Sequence, residues 1–337
     1  MTYWIALYCC LLFFSGSYCC MAQQGKRSST YVPPSIINFQ AERYRPKLGE
    51  FSYRSYYRYR VDADGNLSQN GQARVRNERL LKAKLGVPII LKEAFQIGLQ
   101  IKHYEQRIFY DGASSELDQV YQNIEGTKFY NSGVRLVHQQ QLRGDKKLTQ
   151  VVGYELASND WTLNDDAFKV FYTIGYAKVL NERVTLGGAV YLDYTFGVFR
   201  VYPVIDYTRK LSERWTLALT VPKKALMRYN IDNHTYLNAK VEAKSWRYRY
   251  KTDRYPEFGE KLSLRKLDIL YTVGLEREIH DWLWSSLEMG VAQNAQHFIG
   301  DEEGRRRNAI SSFDTGIQGF FKLGVFLVPP RSIYHKQ

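Results

Sequence analysis

The residues able to act as nucleophile, general base or metal ligand are few and scattered. His103, His138, His234, His280, His297 and His335 fall in six separate stretches. Ser132, Ser285 and Ser286 are nucleophile candidates, but none sits in a recognisable elbow. A serine hydrolase acting on lipid needs a base within about 2.6–3.2 Å of the hydroxyl, and no spacing here predicts such a pair. No HExxH zinc pattern and no glycine-rich phosphate loop is present. Cys9, Cys10, Cys19 and Cys20 all lie in the first twenty residues, so a chain that loses that segment has no disulfide and no thiolate chemistry. The residue types predict no catalytic centre, no cofactor and no metal.

The chemistry that does recur is charge set out in alternation. Arg54, Arg58, Arg74, Arg76, Lys82, Lys84, Lys102, Arg135, Lys240, Lys244 and Lys322 share one face of successive extended stretches, answered by Glu78, Glu242, Glu276, Glu288 and Asp314. Eleven basic against five acidic residues leave an excess of six positive charges on that face. Such a face can tune the selectivity of a wet lumen. It can equally fill and stiffen a closed barrel, because a buried ion needs a partner to offset its desolvation. If the lumen conducts, it is expected to prefer anions.

The elements that position these charges are strands. From Phe313 to Leu327 the chain alternates Phe313, Thr315, Ile317, Gly319, Phe321, Leu323, Val325 and Leu327 against Asp314, Gly316, Gln318, Phe320, Lys322, Gly324 and Phe326. A period of two with one greasy face and one mixed face is a strand with lipid or core on one side and water on the other. The cleanest example sets Phe95, Ile97, Leu99 and Ile101 against Gln96, Gly98, Gln100 and Lys102. At the start, Phe51, Tyr53, Tyr57, Tyr59 and Val61 are read as outward and Arg54 and Arg58 as inward, and in the return strand Ala73 and Val75 as outward. Short turns such as Arg143–Lys146 and Asn181–Arg183 alternate with longer polar loops such as Asp111–Gly126 and the charged Gly300–Asn308. Fourteen candidate strands result, or twelve if the marginal Ala225–Ile231 stretch is lost. Many run 12 to 16 residues, longer than the strands of a soluble β-sandwich. The fold class is therefore all-β, a transmembrane antiparallel β-barrel with an even strand number.

Targeting fits that class. Ile5–Phe14 is an apolar core followed by Ser15-Gly16-Ser17, and cleavage after Ala22 is expected. The predicted organisation is a signal peptide at 1–22, a periplasmic tail at 23–50, the barrel at 51–328 and a short tail at 329–337. The formal charge of +13 invites a nucleic-acid reading, but export and the dispersal of the basic residues argue against it. The expected partners are outer-membrane lipid and lipopolysaccharide, the outer-membrane assembly machinery and small anionic solutes, with no nucleic acid. The 27 tyrosines and 17 phenylalanines suit aromatic girdles at the two membrane interfaces.

Tyr202-Pro203-Val204-Ile205-Asp206-Tyr207, Trp215-Thr216-Leu217-Ala218-Leu219, Val221-Pro222 and Tyr229 resemble the DUF6268-like family of uncharacterised outer-membrane barrels of Bacteroidota. The resemblance covers most of Phe51–Val328, with its specific part confined to about thirty residues. It implies barrel architecture in the outer membrane of a Gram-negative bacterium and carries over no activity. Function is thus expected to be passive transport. The alternatives are a non-conducting structural or ligand-binding barrel and, behind that, a lipid-active enzyme.

Overall fold

The computed structural model describes residues 46–65, 71–92, 94–113, 124–160, 167–251, 261–301 and 304–331. The expected signal peptide, most of the expected tail and the last six residues lie outside this set.

Alternating sequences here become long antiparallel strands because each backbone group in a bilayer must find its partner within the protein, and only a closed sheet leaves no edge. The first half of the sheet comprises β1 (Gly49–Tyr56), β2 (Tyr59–Gly65), β3 (Gly71–Leu91), β4 (Phe95–Ala113), β5 (Lys128–Leu142), β6 (Lys146–Ser158), β7 (Phe168–Asn181) and β8 (Val184–Thr195). The second half comprises β9 (Val198–Lys210), β10 (Trp215–Val221), β11 (Lys224–Asn230), β12 (Thr235–Lys251), β13 (Lys261–His280), β14 (Leu283–Gly300), β15 (Ala309–Asp314) and β16 (Ile317–Leu327). From β2 to β15 each segment pairs with the next. β1 closes the ring, running from Gly49 opposite Leu327 to Tyr56 opposite Phe320 on β16. β1 and β2 are two halves of one stave, both paired to β3, and β15 and β16 are two halves of another, both paired to β14. Sixteen segments therefore make the expected closed barrel of fourteen strands.

β1 begins and β16 ends at the rim of tight turns. There Gly144 and Asp145 close the β5–β6 turn at φ +66° and +58°, left-handed angles that glycine and aspartate tolerate best. Past β16, Arg331 donates to Glu278 Oε1 at 2.7 Å and to Asp281 Oδ1 at 3.2 Å. Hydrogen bonding to Glu278 holds its guanidinium pKa above the ordinary value. The outward face carries an exposed apolar band that includes Ile101, Val134, Val273 and Leu323.

The faces do not keep one phase from rim to rim. β1 turns Ser52, Arg54 and Tyr56 inward, but after the break at Tyr57 and Arg58 the buried residues of β2 are Tyr59, Val61 and Ala63. β3 shifts register against β4 between Val75 and Asn77. Below the shift Glu78 and Leu80 are buried; above it Ala73 and Val75 are. β16 buries Gln318 and Phe320, yet beyond Gly316, at φ +55°, β15 buries Ser311 and Phe313. One extra residue per stave reverses each side chain past it. This corrects the face expected for Tyr59, Val61, Ala73, Val75, Phe313 and Thr315: they point into the barrel, not out of it. All but Thr315 join Phe129, Trp246, Tyr248, Tyr250, Leu262 and Ile299 in an apolar core of the upper barrel.

The wall is also uneven in height. β3 has 21 residues and β13 has 20, whereas β10 and β11 have 7 each. Pro222 and Lys223 turn the β10–β11 hairpin back early, so β9 above Ile205 and β12 above Glu242 have no strand between them. Upper β12 instead bends across to β6, with a parallel bridge between Arg249 and Ser158. Asn159 Nδ2 donates to the Lys251 carbonyl at 3.2 Å, and the Lys251 N–H donates to Asn159 Oδ1 at 3.0 Å. Lys169 Nζ donates to the Arg247 carbonyl at 2.6 Å.

Candidate functional site: a cationic cavity in the lower barrel

Beneath the apolar core is a cavity of about 250 Å³ lined by residues of β1, β3, β11, β12, β13, β14 and β16, together with Lys47 just before β1. Its walls carry eight basic side chains (Lys47, Arg54, Lys82, Lys224, Arg228, Lys240, Lys244 and Lys322) against four carboxylates (Glu50, Glu242, Glu276 and Glu288). The alternation of each strand delivers every second residue to this space, which is why charges distant in sequence meet here.

Most of these charges are knitted together. Glu50 takes Lys82 at 2.5 Å and Lys322 at 3.5 Å. Glu288 takes Lys322 at 3.0 Å and Lys240 at 3.1 Å. Glu276 takes Lys47 at 2.6 Å and Arg228 at 3.5 Å. Three cations have no ion pair among the described residues: Arg54, Lys224 and Lys244. Arg54 donates to the Tyr56 hydroxyl at 3.3 Å and stands 4.8 Å over the Phe320 ring, while its Nε is buried without a partner. Lys244 is 5.8 Å from the Trp246 ring centroid and 6.0 Å from that of Tyr104. Rings accept cations through their negative faces, and with eight basic side chains against four carboxylates the cavity is net positive by count.

Of the residues expected to line the lumen, Arg54, Lys82, Lys240, Glu242, Lys244, Glu276, Glu288 and Lys322 line this cavity. Lys102 and Arg135 belong to a neighbouring cluster on Glu155, at 2.6 Å and 2.9 Å, with Lys84 opposite Lys102 in the β3–β4 register. Glu78 lies higher, fully buried, with Lys266 Nζ 2.8 Å away. Arg58, Arg74, Arg76 and Asp314 are exposed, because each sits at or beyond the bulge or break in its own stave. Arg58 pairs there with Asp111. Alternation alone could have added Glu50, in phase with Ser52 and Arg54, and Lys224 and Arg228, in phase with Leu226. Lys47 precedes the periodic stretch and leaves no such signal.

On the wall opposite, an aromatic row crosses the strands. The Arg135 guanidinium lies 4.9 Å over Phe171, Phe171 stacks on Tyr191 at 5.6 Å, and Tyr191 stacks on Tyr202 at 4.8 Å. The ring of Phe171 occupies the space where residue 153 would carry a Cβ, so only glycine fits beneath it. Gly153→Ala is expected to push the ring aside at a cost of about 1–3 kcal/mol, typical of overpacking. Near-ultraviolet circular dichroism of the folded barrel should report the broken stack. An unchanged aromatic spectrum and unchanged stability would contradict this placement.

One histidine does meet a serine: His103 Nδ1 is 2.8 Å from Ser132 Oγ, across the β4–β5 pair. Ser132 lies between β4 and β6 and pairs with both, so the backbone around it is committed to the ladder.

No family model matches the sequence, and neither does any curated protein. Among solved structures the chain is similar to an outer membrane channel from Pseudomonas putida F1, at 11% identity over 86% of this chain and 100% of that one, with a TM-score of 0.42. It is also similar to a Pseudomonas aeruginosa FadL homologue, at 10% identity over 84% and 91%, with a TM-score of 0.45. The Pseudomonas putida toluene transporter TodX aligns at 10% identity over 84% and 89%, with a TM-score of 0.36. Within this chain the strand pairing closes on itself, and that closure makes it an all-β, transmembrane antiparallel β-barrel of fourteen strands.

Proposed function

We propose that the chain is an outer-membrane transport barrel of a Gram-negative bacterium, taking small anionic solutes into its lumen. The observation that carries the reading is a cavity with twice as many basic as acidic side chains, three of whose cations, Arg54, Lys224 and Lys244, make no close ion pair among the described residues. Positive walls in a narrow, low-dielectric space concentrate anions and repel cations. Outer-membrane lipid and lipopolysaccharide surround the barrel in this reading, and the outer-membrane assembly machinery inserts it. Membership of the DUF6268-like group of Bacteroidota belongs to the same proposal, supported by the strands at Tyr202–Tyr207 and Trp215–Leu219. The Ser132–His103 contact is then a cross-strand hydrogen bond, not a lipid-cleaving dyad.

A second reading, a non-conducting barrel that binds its ligand, draws on the apolar core above the cavity, where Phe129, Tyr248 and Leu262 are buried. Planar-bilayer recordings under a salt gradient distinguish the two. The expected result is a reversal potential of anionic sign that shrinks as salt rises, since the Debye length is about 10 Å at 0.1 M. Lys224→Gln with Lys244→Gln should lower the anion-to-cation permeability ratio several-fold. Cation preference in the unmodified protein would refute the electrostatic assignment. Absence of any conductance would favour the binding barrel.

A further inference from the structure

A second cationic site lies where the wall is interrupted above the β10–β11 hairpin. One side of this notch is the inner face of β8 and β9, carrying Asp193 and Arg200, which are register partners. The other is the face of β12 and β13 that carries Arg247 and Arg265, also register partners. Because upper β12 crosses toward β6, its odd-numbered face looks at β8 and β9 across a gap of about 90 Å³ that also touches Arg305. Water in bulk takes roughly 30 Å³ per molecule, so the gap has room for one tetrahedral oxyanion and little more.

The charge there is unbalanced. Asp193, just outside the lining, is shared by Arg200 at 3.6 Å and Arg247 at 3.7 Å, and Asp301 is engaged by the Gly304 N–H at 3.0 Å. One oxygen of Asp193 is already taken by the Thr195 hydroxyl at 2.8 Å. Arg265 donates to the Gly304 carbonyl at 2.5 Å, a neutral acceptor, and Arg200 Nε is buried without a partner. Converging guanidinium groups around a small space suit the oxygens of phosphate, which they can grip in pairs. Beside the gap, β9 exposes Phe199 and Val201 on its outer face, 61% and 56% accessible, an apolar surface next to the anion seat.

We infer that this notch binds a phosphate group, presented either by a phosphorylated outer-leaflet lipid or by free phosphate. The site is separate from the lumen cavity and does not depend on whether the barrel conducts.

The test uses the full barrel purified in an uncharged maltoside at low salt, titrated with inorganic phosphate by calorimetry. In parallel, the protein is placed in phosphatidylcholine nanodiscs containing either bisphosphorylated lipid A or its dephosphorylated form, and the retained lipid is read by native mass spectrometry. Arg200→Gln with Arg265→Gln should weaken phosphate binding, or lipid A retention, at least tenfold. Arg209→Gln, at the far end of β9, should change neither. Asp193→Asn removes the competing carboxylate and should tighten binding several-fold, which a purely structural role for these residues would not produce. It also keeps the proposal testable if the double arginine variant fails to fold. Retention of lipid A but not its dephosphorylated form, without phosphate binding, assigns the site to a lipid headgroup; phosphate binding alone assigns it to a solute. Binding of neither probe, equal binding by the double variant, or no tightening with Asp193→Asn would overturn the inference.

Discussion

Glu78→Leu is expected to destabilise the barrel by about 3–5 kcal/mol, the usual consequence of removing one partner from a buried ion pair. Glu78 is fully buried and accepts from the Tyr59 hydroxyl at 2.6 Å, from Gln106 Nε2 at 2.5 Å and from Lys266 Nζ at 2.8 Å. Leucine leaves three buried donors without that acceptor. Lys266 keeps Asp268 at 3.4 Å, and Gln106 keeps the Tyr248 hydroxyl donating to its Oε1 at 2.9 Å, so the network is weakened and not abolished. Glu78→Gln retains an acceptor and should cost less. Pairing Glu78→Leu with Lys266→Met removes both charges and should recover part of the loss, a coupling visible only in the double-variant cycle. The measurement is the temperature at which the compact, heat-modifiable gel band converts to the unfolded one, backed by urea unfolding in vesicles. Wild-type stability in Glu78→Leu would show that this cluster does not hold the upper barrel together.

Leu323→Arg is the second large effect. Leu323 is 50% accessible on the outward face and is flanked in register by Tyr53 on β1 and Leu287 on β14. An arginine on the lipid face near the midplane costs about 2–4 kcal/mol, falling toward zero at the interfaces. The same face on β4 offers an internal comparison. Leu99→Arg should impair assembly, while substitution of its inward neighbour Gln100, 1% accessible, by asparagine should be milder. Vesicle-folding yield and urea midpoints measure both. Equal tolerance at Leu99 and Gln100 would mean that the faces of β4 are reversed or that no lipid surrounds them.

The two sites differ in how far the sequence reaches. Lys82, Lys240, Glu242, Glu288 and Lys322 lie on stretches clear of the bulges and breaks, where alternation alone dictates which face each side chain takes, and the structure brings them to one cavity. Alternation and the spacing of turns likewise determined the class and pointed to fourteen staves with twelve as the alternative, and the structure keeps the marginal Ala225–Ile231 stretch, as β11, and with it fourteen. What tertiary structure decided is phase and height. A bulge adds one residue to a stave without altering the types on either side of it, so nothing in the alternation of Arg74, Val75 and Arg76 announces that the valine points inward. The early turn at Pro222 is visible in the sequence, but its consequence is not. Only when β10 and β11 stop short does upper β12 lose its neighbour, cross to Ser158 on β6, and carry Arg247 to the same gap as Arg200. Pairing between strands so distant along the chain depends on closure of the whole ring, which no local pattern encodes.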